Sequence, residues 1–402
     1  MNIVGRVNKN EKIINGLLLG ISLSADMITK IISSFVFINN NLLIIYGLVF
    51  VCAFSFNKKI ISKKYILLLC FVLVLFMSSL IRVNDPTYTI QYLTFFLCYY
   101  LAVAFLLQFD IDFRYVFKMI NFIAFFYSLY LYIFISPEFN KGNLNLDFTM
   151  DLSYTSLIGI FSIIIYFFFY KKKKLDIFDF LNFFSIIYIM YFLLFINNNR
   201  GSLLALTIFL IFLFIIKIKN PILKLLVTLI TLLGSYILYD RFNEVLLNIS
   251  NFLLGKNIKL NFMERAIRNL NNSNFDSGRS NFYENAIRRF GDSPLFGNGI
   301  GDFASKNEGQ YPHNIFLEVL TDQGIFIFFL LLLLIVFALI VILKTKNNHD
   351  SYVLLFFFSL SIPRLMISNT LWNSSFFWAL ITLIILCYSS MKNNKLLLKK
   401  ND

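Results

Sequence analysis

Between Asp240 and Gln323 the chain keeps one long polar stretch, and most of the side chains that could do chemistry collect there. The stretch holds Arg279, Arg288 and Arg289, a Pro/Gly-rich turn from Ser293 to Gly301, and the run Pro312-His313-Asn314. Of the two histidines in the chain, His349 lies in Asn347-Asn348-His349-Asp350, outside this stretch, so His313 is its single imidazole. Imidazole is the usual proton-transfer group near neutral pH. A lone histidine is as commonly a structural contact, and pattern alone leaves both readings open. Asn314 fits the N-cap of a short apolar helix that Gly324 would end. Helical spacing separates the arginines. Over residues 279–290 the side chains of Phe282, Tyr283, Ala286, Ile287 and Phe290 fall on one face, and a second short amphipathic helix is expected over 262–270. Arg279 precedes Phe282 and Tyr283 by one helical turn and shares their apolar face, where a plain solvent role does not account for it. Arg288 follows Glu284 by four residues, and an exposed ion pair accounts for it. Arg289 fits either side. The turn contains Gly297-Asn298-Gly299-Ile300-Gly301. With no preceding strand and no βαβ unit it is not a dinucleotide fingerprint. It is either a tight loop or a nest of backbone amides that could take an anion.

The elements that must position these residues are membrane helices. The 402 residues are 58% hydrophobic and 18% aromatic, with only 14% charged and a mean hydropathy of +0.73, which excludes an ordinary soluble domain. Spans of roughly 17–25 apolar residues suit the hydrocarbon core. Twelve are expected, near 13–37, 42–56, 65–81, 89–107, 115–136, 152–170, 178–196, 202–218, 222–239, 324–343, 352–371 and 374–391. Asp26 and Lys30 interrupt the first and, four residues apart, are expected to pair with each other. The basic residues alternate by side. One set of ends carries Lys58, Lys59, Lys63 and Lys64, then Lys171 to Lys174, Lys344 and Lys346, and further lysines and arginines at both termini. The short loops of the other set carry only Arg82, Lys141 and Arg200. Positive charge marks the cytoplasmic side of short loops, so both termini are expected in the cytoplasm and the stretch 240–323 outside. The N-terminus reads as a cytoplasmic tail with no cleavage site. The +14 net charge is then a topology signal, and no nucleic-acid partner is expected. Cys52, Cys70, Cys98 and Cys387 all fall within expected spans, which argues against an exported disulfide or a zinc site.

Four motifs in order carry a resemblance: Arg200-Gly201 opening a span, Arg279 with an aromatic residue four later (Tyr283), Pro294-x-x-Gly297-x-Gly299, and His313-Asn314 ahead of Gly324. Together they resemble the O-antigen ligase/polymerase family, the bacterial ligases and Wzy-type polymerases, where Tyr283 stands in place of a favoured Trp. The resemblance implies an all-α polytopic membrane protein of GT-C-like glycosyltransferase type. It implies a single integral membrane domain over 1–402, with a periplasmic loop at 240–323 between the ninth and tenth spans, in the inner membrane. It implies a donor sugar carried on undecaprenyl pyrophosphate, with membrane lipids around it and a flippase and a chain-length regulator alongside. On this resemblance His313 is the catalytic candidate, and Arg200, Arg279, Arg289 and Arg364 are candidates for the pyrophosphate. Tyr283, Gly297, Gly299, Asn314 and Gly324 then position the loop and its helix. The chemistry suits the residues, since the guanidinium fork matches phosphate oxygens in pairs. Arg200 could alternatively be an interfacial anchor. Arg364, which follows Pro363 inside a span, could pair with a carboxylate in the bundle; an intramembrane arginine costs about 2.5 kcal/mol or more, so a partner or a function is expected. There is no Walker motif and no Asp-x-Asp in the exported stretch, so neither a cofactor nor a metal is expected, arginine charge taking the metal's part. The ligase pattern would carry Gly, Thr or Tyr where Ile327 stands, which favours the polymerase. The alternatives are an O-antigen ligase transferring to lipid A-core, and a lipid-linked oligosaccharide flippase, which would show pseudo-repeats and midplane polar groups.

Overall fold

The computed structural model describes residues 9–35, 41–57, 61–141, 146–171, 176–197, 199–218, 220, 223, 226, 279–344 and 349–385. The span expected over 222–239 and the helix expected over 262–270 lie outside the described residues, apart from two isolated positions of the former.

Apolar stretches this long have their backbone groups satisfied inside a membrane only as helices, and the described residues are helices and turns with no strand among them. The first expected span is two helices, α1 (Lys9–Leu23) and α2 (Ala25–Ser33), bent by 57° at Ser24, whose Oγ donates back to Gly20 O at 2.9 Å. Next come α3 (Asn41–Phe56) and α4 (Lys63–Arg82), then α5 (Thr87–Leu107) and α6 (Phe113–Glu138). α7 (Leu146–Ile165) runs into a π-helical turn, Tyr166–Tyr170. α8 (Ile177–Tyr191) likewise runs into a wide turn, Phe192–Asn197, and α9 spans Arg200–Lys217. After the long polar stretch come α10 (Arg279–Asp292), the short α11 (Asp302–Lys306), the long α12 (Ile315–Lys344), α13 (His349–Leu365) and α14 (Ser375–Ile385). Six of the described helices are long and apolar enough to cross a membrane, or seven if the bent pair counts as one. The shorter apolar helices Leu42–Phe56, Gly201–Ile216 and Ser375–Ile385 fall on three more of the expected spans.

The packing is that of a membrane bundle turned outside in. Leu67, Phe183 and Phe214 are exposed, as a lipid-facing surface requires, while Ser153, Thr155 and Ser156 are wholly buried. Aromatic side chains fill the centre: the Trp372 ring meets Phe76 with centroids 4.6 Å apart, and Phe161 stacks on Phe209 at 4.0 Å. α1 packs along α6, α9 along α13, and α10 on α12. The termini of several helices are set by side-chain caps, of Asp112 for α6, Asp176 for α8 and Asn199 for α9.

Lys30 corrects one expectation. Its ammonium pairs with Asp151 of α7 at 2.6 Å and donates to Thr155 at 2.5 Å, so its ion pair is with a neighbouring helix rather than with Asp26. The bend at Ser24 explains this: it swings α2 away from the axis of α1 and toward the start of α7. The described cysteines, Cys52, Cys70 and Cys98, are free thiols on α3, α4 and α5.

Candidate active site

α12 is the element on which the site is built. Asn314 caps it as expected, its Oδ1 accepting from Phe316 N at 2.9 Å. Gly324 does not end the helix outright. It takes φ 79°, ψ −176° inside it, so that a short helix from Ile315 meets the long apolar helix at a kink. Only glycine holds such a conformation readily, and here space demands it too: a Cβ would run into the carbonyl of Leu295. His313, just before the cap, has φ 53°, a left-handed backbone in which histidine is one of the more tolerated side chains. Its ring packs on Tyr311, centroids 4.2 Å apart, and on Phe282 of α10 at 5.8 Å.

That second contact joins His313 to the arginine helix. α10 turns Ala286 inward, buries Phe282 and Phe290 in part and leaves Arg288 exposed. Ile287 departs from the expected apolar face, with 61% of its surface open. Tyr283 is half-buried beside the packed face. Arg289 is engaged at the other end of α10, its guanidinium paired with Asp302 of α11 and, at 3.1 Å, with Asp292. Lys306 reaches the second oxygen of Asp302 at 3.1 Å. These pairs tie α10 to α11 and set the direction of the loop between them.

The glycine turn resolves in favour of a tight loop. Asn298 N donates to Thr321 O at 2.9 Å, Gly299 N to Asp322 O at 2.8 Å, and Gly301 N to the Asp322 carboxylate at 3.0 Å. These amides are thus taken up by the end of the short helix of α12 and are not open to an anion. Arg82, at the end of α4, donates to the carbonyls of Phe296 and Gly297 from the far side, at 2.8 Å for Gly297. Gly299 lies against Val83, so closely that a Cβ would come within 2.5 Å of its Cγ2. Gly297 and Gly299 therefore position the loop by close approach. Arg82, unmarked by any motif, is the residue that sequence reasoning passed over here.

Arg364, Arg279 and the backbone at the start of α9 lie near one tyrosine, Tyr154. Arg200 opens α9; its side chain lies outside the described atoms. Gly201 follows it, and a Cβ there would collide with the hydroxyl of Tyr154 on α7. The Arg364 guanidinium carbon lies 5.0 Å from the centroid of the same tyrosine ring, and Arg279 is within electrostatic reach of it. Arg364 Nη2 also pairs with Asp151 Oδ1 at 2.9 Å, and Asp151 Oδ2 is the partner of Lys30. Asp26 lies near enough to interact electrostatically with Lys30, Asp151 and Arg364. Lys30 and Arg364 thus share the Asp151 carboxylate inside the bundle, which is how charges persist there. Asp151 itself keeps 41% of its side-chain surface open, although Leu152, Ser153, Tyr154 and Thr155 beside it are buried. Tyr154, Asp151 and Lys30 carried no motif, and the one sequence signal was a set of charges inside apolar spans.

Residues 184–332 match the family model described as O-antigen ligase. No curated protein and no solved structure matches the chain. The matched segment contains Arg200, Arg279, Tyr283, Arg289, Gly297, Gly299, His313, Asn314 and Gly324, while Tyr154, Asp151 and Arg364 come from outside it.

Proposed function

Residues 184–332 place this membrane protein in the O-antigen ligase/polymerase family, and we propose that it is a polymerase of undecaprenyl-pyrophosphate-linked oligosaccharide repeat units, as for O-antigen or capsular polysaccharide. The observation that carries the reading is the meeting of the α9 start, Arg279 and Arg364 around Tyr154, with His313 one ring contact away from the helix of Arg279. On this reading the bundle is a GT-C-like enzyme of twelve spans with its site on the periplasmic face of the inner membrane. Arg279 and Arg200 hold the pyrophosphate of the donor. Arg289 serves the site through Asp302 by orienting the loop. The acceptor hydroxyl attacks the anomeric carbon, His313 accepts its proton, and the bond to the pyrophosphate breaks, leaving the charge on the departing lipid beside the arginines. No further energy source is needed, because the leaving lipid pyrophosphate carries the driving force.

A second reading is favoured by the matched family model, which is described as an O-antigen ligase. The chemistry is the same and only the acceptor changes, to lipid A-core. Protein reconstituted with one lipid-linked repeat unit should build a ladder of longer glycans and release undecaprenyl pyrophosphate. Transfer that starts only when lipid A-core is added would select the ligase. No transfer to either acceptor would overturn both.

A further inference from the structure

Three buried polar groups around Tyr154 lack hydrogen-bond partners: Tyr154 Oη, Ser368 Oγ and Arg364 Nε. Tyr154 is 4% exposed and Ser368 5%, and their hydroxyls are neighbours, but pairing the two would use one proton and leave the other without an acceptor. A buried donor without an acceptor is costly, so the leftover hydroxyl proton and Arg364 Nε call for a partner that arrives from outside. All three can donate. Arg364 is held for the purpose: Asp151 takes its Nη2 and the Tyr154 ring supports its face, while Lys30 and Thr155 fix Asp151 in turn. Arg364 and, more weakly, Arg279 both set positive charge beside Tyr154. The position suits a ligand at one end of the bundle. Lys30 lies near the end of α2, Asp151 near the start of α7 and Arg364 near the end of α13, all at the end where α9 and α10 begin.

We propose that Tyr154, Ser368 and Arg364 Nε form a phosphate-oxygen seat inside the bundle, which takes the pyrophosphate of the lipid-linked substrate together with Arg279. The proposal rests on the reading of the protein as a user of lipid-linked pyrophosphate and extends its site beyond the family segment. Donors beside the Arg364 guanidinium, with the nearest carboxylate, Asp151, already paired with Arg364 and Lys30, suit a phosphoryl oxygen, which only accepts. Tyr154 and Ser368 act by binding and leave the proton transfer to His313.

The test measures binding of undecaprenyl pyrophosphate to the purified full-length protein in nanodiscs, with uncharged polyprenol as the reference lipid. The wild type should bind the pyrophosphate lipid more tightly. Tyr154→Phe and Ser368→Ala, which remove a hydroxyl and little shape, should each weaken that binding about tenfold, the size expected for one hydrogen bond to a charged group. Binding of polyprenol should stay unchanged, and the melting temperature of the lipid-free protein should hold or rise, because each change removes a buried donor short of a partner. Ser162→Ala, which removes a buried hydroxyl bonded to Asn121 at 2.6 Å, should leave both lipids bound as before. Tyr154→Phe and Ser368→Ala with wild-type affinity would overturn the seat and leave the proposed function standing. A wild type that does not distinguish the two lipids would overturn both.

Discussion

Arginine and histidine positions make sharp predictions because their neighbours differ. Arg279 sits at the start of α10 within electrostatic reach of Tyr154, whereas Arg288 is exposed on the same helix. Arg279→Lys keeps the charge and loses the planar fork, so glycan transfer should fall at least tenfold. Arg288→Ala should stay within about twofold, since exposed pairs contribute about 0.2–1 kcal/mol. Equal losses at matched expression would mean that bulk charge is what matters. Arg289 predicts a different signature. It is bound to Asp302, so Arg289→Ala should lower thermal stability together with activity rather than activity alone. For His313 the comparison is with glutamine, which can keep a hydrogen bond but cannot take a proton. A positioned base contributes about 10²–10⁴-fold. His313→Gln should therefore insert normally and leave single repeat units on the lipid; long chains from this variant would reduce the imidazole to a contact.

At the scale of elements the glycines separate space from conformation. Gly324 has φ 79° and no room for a side chain, while at Gly291, near the end of α10, a methyl would meet nothing within 4 Å. Gly324→Ala should lose folded protein in a detergent melt, and Gly291→Ala should be neutral or stabilising by about 0.5–1 kcal/mol, the difference between the two residues in a helix. Gly201→Ala should be inactive because its methyl meets Tyr154 Oη. Adding Tyr154→Phe removes that oxygen and should restore activity to the level of Tyr154→Phe alone; a double variant that stays dead would show that Gly201 is needed for another reason. This is also the scale at which the sequence was most legible. Span lengths, the Asn314 cap and the amphipathic α10 are local patterns of period and polarity, and they follow from neighbours a few residues apart. What stayed hidden depends on helices far apart in the chain. The pairing of Lys30 with Asp151 needs the bend at Ser24, the clasp of Arg82 on Gly297 crosses from α4 to the loop, and Tyr154 looks like any other tyrosine in an apolar span. The anion-nest option for the glycine turn could not be decided from spacing, because the answer lay in where Asp322 points.

For the whole molecule the lysine-rich ends and the site end lie at opposite ends of the helices, and this orients the protein if positive charge stays inside. In a cysteine-free background, cysteine placed at the exposed Glu284 of α10 should react with a membrane-impermeant thiol reagent in cells whose outer membrane has been permeabilised. Cysteine at Lys63 should react only after the inner membrane is broken. The reverse pattern would invert the topology and put His313 in the cytoplasm. The clasped turn between α10 and α12 also bears on the order in which the protein is built. Its carbonyls are gripped by Arg82 from the first half of the chain, and its amides by Thr321 and Asp322 from the second. A ribosome delivers those partners far apart in time. The early helices thus wait with Arg82 unengaged by the turn until Gly324 has emerged, and the site closes as one late event in synthesis rather than growing helix by helix.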